Sequence, residues 1–158
     1  ALLIGIDNYA SADLNSLPGV VNDVNDMKSF LTGAFDSVDG FALDIKVIRN
    51  QEATAEKIRS AVESLRTNDV IKRGDPILIY YAGHGSTLPP PEGWPGHDVE
   101  IQCLVGYDAF CSERDGKYLV EGVVPDRTLA ALLHRLADAK GNNITVILDC
   151  CHSGSGTR

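Results

Sequence analysis

The chain has 158 residues, 44% of them apolar and 23% charged, enough to bury the core of one globular domain. Its formal net charge of −8 argues against nucleic acid or an acidic membrane surface as a main partner. No apolar run approaches the roughly 20 residues that cross a bilayer and no secretory leader is visible, so no membrane association is expected.

Strand and helix alternate along the chain. Ala1 to Ile6 reads as a first strand, and because no initiator Met stands before it we expect residues to precede it in the parent protein. Val20, Val21, Val24, Met27, Phe30 and Leu31 recur at helical spacing, with Gly33 expected just past the helix end. Asp44 to Ile48 is a short second strand. Thr54 is placed to cap a helix that buries Ile58, Ala61, Val62 and Leu65. Gly74-Asp75-Pro76 turns into a third strand, Ile77 to Tyr81, which runs on into Ala82-Gly83-His84-Gly85.

From Ser86 to Pro125 the pattern breaks. Leu88-Pro89-Pro90-Pro91 and Gly93-Trp94-Pro95-Gly96 read as a long loop, with short strands expected at Val99 to Val105 and Lys117 to Val120. Asp126 then caps a helix with Leu129, Leu132, Leu133 and Leu136 on one face, and Gly141 closes it. The last strand, Ile144 to Leu148, leads into Asp149-Cys150-Cys151-His152-Ser153-Gly154. Apolar strands separated by amphipathic helices predict an α/β domain with a mainly parallel sheet covered on both faces. Residues 153–158 should open another helix. The cysteine-bearing strand is expected to be an apolar sheet edge, which marks the sequence as a fragment of a larger domain.

The chemistry lies at two strand ends, where open parallel sheets place their sites. One strand delivers the thiol of Cys151 and another the imidazole of His84, each into a glycine-bearing turn. A thiolate is the nucleophile and an imidazole its general base and acid. A helix starting after Cys151 would favour the thiolate, and the backbone N–H groups of Gly85 and Cys151 could receive a developing oxyanion. The plainer alternative is an inert buried thiol and a core histidine. The other cysteines, Cys103, Cys111 and Cys150, read with Cys151 as reduced thiols of a cytoplasmic protein rather than a disulfide frame. The spacing of Cys103 and Cys111 does not suit a zinc knuckle with His97 or His152.

Tyr80-Tyr81-Ala82-Gly83-His84-Gly85 and Asp149-Cys150-Cys151-His152-Ser153-Gly154 closely resemble the His and Cys motifs of caspase-like cysteine peptidases, metacaspases above all. Ala1-Leu2-Leu3-Ile4-Gly5-Ile6 and Leu17-Pro18-Gly19-Val20-Val21-Asn22-Asp23-Val24 resemble their first strand and helix. The resemblance implies a caspase-like α/β/α sandwich, here the large-subunit portion, partnered by a small-subunit segment beyond Arg158. It implies an endopeptidase with Cys151 as nucleophile, His84 as base and Cys150 as a bystander, working in proteolysis and programmed cell death. It further implies that Asp23 and Asp149 hold an Arg or Lys of the substrate, and a carboxylate suits a guanidinium through paired charge-assisted hydrogen bonds. No cofactor is required; calcium is an expected activator in some relatives. Asp98, Glu100, Asp108, Glu113, Asp115 and Asp126 form the acidic region concerned, with Asp98 and Asp126 the candidate ligands. Val123-Val124-Pro125-Asp126 offers one carboxylate where calcium-dependent relatives carry two, and calcium takes six to eight oxygens.

Two rival readings fit less of the chain. The phosphate loop of cysteine phosphatases resembles C-x5-R, but Arg158 falls one place late after Cys151, and that family gives no role to Gly83-His84-Gly85. A caspase-like scaffold without catalysis would not need His84 and Cys151 together.

Overall fold

The computed structural model describes residues 1–35, 37–90, 100–114 and 117–151. In chain order the elements are β1 (Leu2–Gly5), α1 (Val20–Phe35), β2 (Lys46–Arg49), a 3-10 turn (Asn50–Glu52), α2 (Ala55–Thr67), β3 (Ile77–Ala82), β4 (Gly85–Leu88), β5 (Ile101–Arg114), β6 (Lys117–Pro125), α3 (Asp126–Lys140) and β7 (Ile144–Asp149). Among the described residues, β2, β1, β3 and β7 form a parallel four-stranded sheet in that order. A separate antiparallel sheet runs β4-β5-β6.

The parallel sheet is covered as its apolar strands require. Leu2, Ile4, Ile79 and Tyr81 face α2 and α3, where Ile58, Val62, Leu129 and Leu136 complete the larger core. Leu3, Tyr80 and Ala82 face α1, through Val20, Val24 and Leu31. The result is the expected three-layer α/β/α arrangement. Alternate residues of each central strand serve opposite faces, so nearly all of them are buried.

Local expectations fared unevenly. Thr54 caps α2, its hydroxyl accepting from the Lys57 N–H, and Gly141 ends α3 at a φ of 91° that disfavours other residues. Gly33, in contrast, lies inside α1, which continues to Phe35, and Phe30 is 66% exposed rather than core. Asp126 is the first residue of α3 and not its cap; Pro125 holds the cap position and the Asp126 carboxylate accepts from the adjacent Arg127 N–H.

The largest correction concerns residues 86–125. The strands expected near Val99 to Val105 and Lys117 to Val120 are present within β5 and β6, but the long loop expected around them is mostly further strand among the described residues. Much of that stretch is strand: β4, β5 and β6 form the antiparallel sheet, with an irregular register between Val105 and Phe110. Residues 91–99, with the Gly93-Trp94-Pro95-Gly96 run, lie outside the described residues, as does the helix expected from 153 onward. Among the described residues β7 pairs with β3 alone, and its Ile147 is 38% exposed.

Candidate active site

The site is built where β3 and β7 end side by side. Their register pairs Ala82 with Asp149, and the Gly83 N–H donates to the Asp149 carbonyl at 3.3 Å. Immediately beyond, Gly85 packs against the Cys151 backbone carbonyl so closely that a Cβ there would overlap it. The Cys150 sulfur would lie 3.4 Å from the same Cβ. Only glycine admits this approach, which brings the His84 turn and the Cys151 turn together.

His84 is held on every side. Its N–H donates to the Tyr9 hydroxyl at 2.7 Å, and its carbonyl accepts from the Tyr81 hydroxyl at 2.8 Å and the Val105 N–H at 3.1 Å. The Tyr9 and His84 rings lie 5.0 Å apart. The imidazole Nε2 is 2.8 Å from the Asn15 carbonyl. A carbonyl only accepts, so Nε2 carries the hydrogen and Nδ1 keeps the basic lone pair. Tyr9 and Asn15 belong to the segment after β1, which Asn50 secures by accepting from the Asp7 and Asn8 N–H groups. Asn50 adopts a φ of 43°, a backbone state that Asn enters more readily than most residues.

These supporting residues escaped the sequence reading. The only available signal was Asp7-Asn8-Tyr9 at the end of a strand on the same sheet, and nothing local ties a backbone carbonyl at Asn15 to a ring 69 positions away.

The two adjacent cysteines separate by environment. Cys150 is half-buried among core residues, and burial, then the neighbouring Cys151 and Asp149, raises its thiol pKa to about 11. Cys151 is exposed. Cys103 is buried on β5, its thiol donating to the Ser86 carbonyl, and burial raises its pKa to about 11 as well. All four cysteines are free. Tyr81, fully buried, has its pKa pushed well up by desolvation and then by Tyr9 and Cys150, so it stays a neutral donor.

Asp149 sits on the α1 side of the sheet. It is exposed, and its Oδ2 accepts from the Tyr80 hydroxyl at 3.2 Å. Asp23, in the first turn of α1, is exposed as well. Burial, then Asp149 and finally Asp23, raises the Tyr80 phenol to about 12. Both acidic candidates therefore share one face at the carboxyl end of the sheet.

Among the described residues, no three His, Cys, Asp or Glu side chains gather to hold an ion. Asp108 is otherwise engaged, its carboxylate accepting from the Ala55 N–H at the start of α2. Asp126 accepts from Arg127, and Asp98 lies outside the described residues.

The family model described as "Metacaspase, peptidase C14 domain" matches residues 1–157. The chain belongs to the metacaspases. It is 32% identical to metacaspase-7 of Arabidopsis thaliana over 160 residues, covering 98% of the chain and 34% of that protein. It is 30% identical to metacaspase-1 of Lodderomyces elongisporus, covering 98% of the chain and 33% of that protein. The sequence thus spans about a third of the length of these metacaspase relatives. A solved protein from Geobacter sulfurreducens has the same fold, with a TM-score of 0.69 at 23% identity over 97% of this chain and 50% of its own. Among the described residues, no helix of this metacaspase domain is long and apolar enough to cross a membrane.

Proposed function

We propose that the parent protein is a cysteine endopeptidase that cuts after Arg or Lys, with Cys151 as nucleophile and His84 as its base and acid. The observation that carries this reading is the abutment of Gly85 on the Cys151 backbone, beside a His84 ring already turned by Asn15 so that Nδ1 is the basic nitrogen.

In this mechanism His84 Nδ1 takes the Cys151 thiol proton and the sulfur attacks the scissile carbonyl carbon. The oxyanion formed accepts from the Gly85 and Cys151 N–H groups. The intermediate collapses to a thioester, breaking the C–N bond, as the imidazolium protonates the departing amine. Water then attacks the thioester with His84 as base, releasing the acid and restoring the thiol. Asp23 and Asp149 hold the basic side chain preceding the cut.

The reaction needs no cofactor. Calcium enters the proposal as an activator only, with Asp98 and Asp126 as candidate ligands, and chelation by EGTA is its test: unchanged activity removes it. The partners proposed are basic peptide segments and a small-subunit segment of the parent that lies beside β7. The proposed compartment is the cytoplasm, consistent with four free thiols, and the proposed process is proteolysis in programmed cell death.

The test uses the full-length parent and peptides differing only in the residue before the cut. Cleavage after Arg or Lys is expected, and preference for Asp would sink the specificity. A peptidyl electrophile ending in Arg should alkylate Cys151 faster than it alkylates a free thiol; an equal rate would instead make the domain a silent scaffold.

A further inference from the structure

A hydroxyl lies at the base of the acidic face described above. Tyr80 belongs to an apolar strand and packs on the α1 side with Leu3, Val20 and Val24, at 4% exposure. Its ring is core, yet its O–H reaches the end of the sheet and donates to Asp149 Oδ2. Both carboxylates around it are exposed, so a neutral hydroxyl stands beside two solvent-facing charges.

We propose that Tyr80 is a specificity-determining residue whose hydroxyl orients Asp149 and adds an acceptor beside it, so that the pocket favours arginine over lysine. The proposal rests on the reading of Asp23 and Asp149 as a basic-residue pocket and deepens it.

The physical reason is geometric. By donating to Oδ2, Tyr80 fixes the plane of the carboxylate and leaves Oδ1 for the substrate. The phenolic oxygen itself keeps lone pairs that can accept an N–H. A guanidinium carries five N–H donors in one plane, so it can address Asp149 and Tyr80 together. An ammonium is a compact charge on a flexible stem and gains little from a fixed acceptor plane. Removing the hydroxyl should therefore weaken arginine recognition more than lysine recognition.

The experiment measures kcat and KM of the full-length parent on two peptides that differ only in Arg or Lys before the cut. Wild type is compared with Tyr80→Phe, which keeps the ring and its packing, and melting curves report the fold. Tyr80→Phe should raise KM for the Arg peptide about tenfold, the scale of one hydrogen bond to a charged group. It should leave kcat within about twofold and lower the Arg-to-Lys ratio of kcat/KM about fivefold. An unchanged KM and ratio in a folded variant, with wild type cutting after Arg, would overturn the Tyr80 role alone. Wild-type cleavage after neither residue would overturn the pocket reading and the Tyr80 role with it. Should Tyr80→Phe unfold, competition on wild type decides: benzamidine should inhibit at least tenfold more strongly than butylamine, and equal inhibition would overturn the proposal.

Discussion

His84 follows a strand inside the parallel sheet and is fixed by groups from Tyr9, Asn15, Tyr81 and Val105, whereas Cys151 stands exposed just after β7. The contrast has a chemical sense. A general base must hold one tautomer and one direction, and fixed neighbours supply both. A nucleophilic thiol must meet a substrate from solvent, so exposure suits it. Its neighbour Cys150 shows the converse, since burial keeps that sulfur protonated and turned into the core.

Removing either end outright tests whether the two act as one unit. Cys151→Ala and His84→Ala should each lower kcat/KM at least about 10³-fold, with the double variant little worse than either. If Cys150 proved essential and Cys151 dispensable, the assignment would be displaced by one residue and the comparison would collapse.

Next in size is the acidic face beside the thiol. Asp149→Ala should weaken turnover of an Arg substrate by about 2–5 kcal/mol, the cost of leaving a desolvated charge unpaired. The same substitution should scarcely affect a peptide with a neutral residue at that position, and equal losses on both would mark Asp149 as structural.

A smaller effect sharpens the account of the rigid end. Tyr9→Phe removes the acceptor of the His84 N–H and should cost about 1–2 kcal/mol of stability. Activity should fall mainly in kcat, with the pH profile altered because the ring is less well held. A profile and kcat matching wild type would show that Asn15 suffices.

The mildest prediction separates the thiols. Cys150→Ala should retain activity within about twofold, as for substitutions away from the machinery. Cys103 and Cys150 have folded pKa values raised to about 11 from 9.0, so folding binds their protons more tightly than the unfolded chain does. Their contribution is therefore complete below pH 9.0 and is lost as pH rises through about 11. Melting temperatures from pH 8 to 11 should fall more steeply in wild type than in a Cys103→Ala, Cys150→Ala variant.

Sequence alone determined the periodic elements and the residues that end them. Ile77 to Tyr81 and Ile144 to Leu148 are apolar runs that form strands, the first buried and the second only partly, and the side chains following them are set by chain continuity. The Thr54 cap and the Gly141 stop were legible because each acts within one helical turn. Gly33 misled because a glycine after a helical pattern ends the helix only if the backbone turns there, and α1 continues with Ala34 and Phe35. Residues 86–125 misled because prolines and glycines concentrate in one part of a stretch whose remainder pairs into β4, β5 and β6. Tertiary structure alone decided that β3 and β7 are neighbours, that Asp108 accepts from the first N–H of α2, and that Asn15 and Tyr9 grip His84. Each of these is a hydrogen bond between groups 53 to 75 positions apart, or a strand pairing of similar span, and such contacts leave no period in the chain.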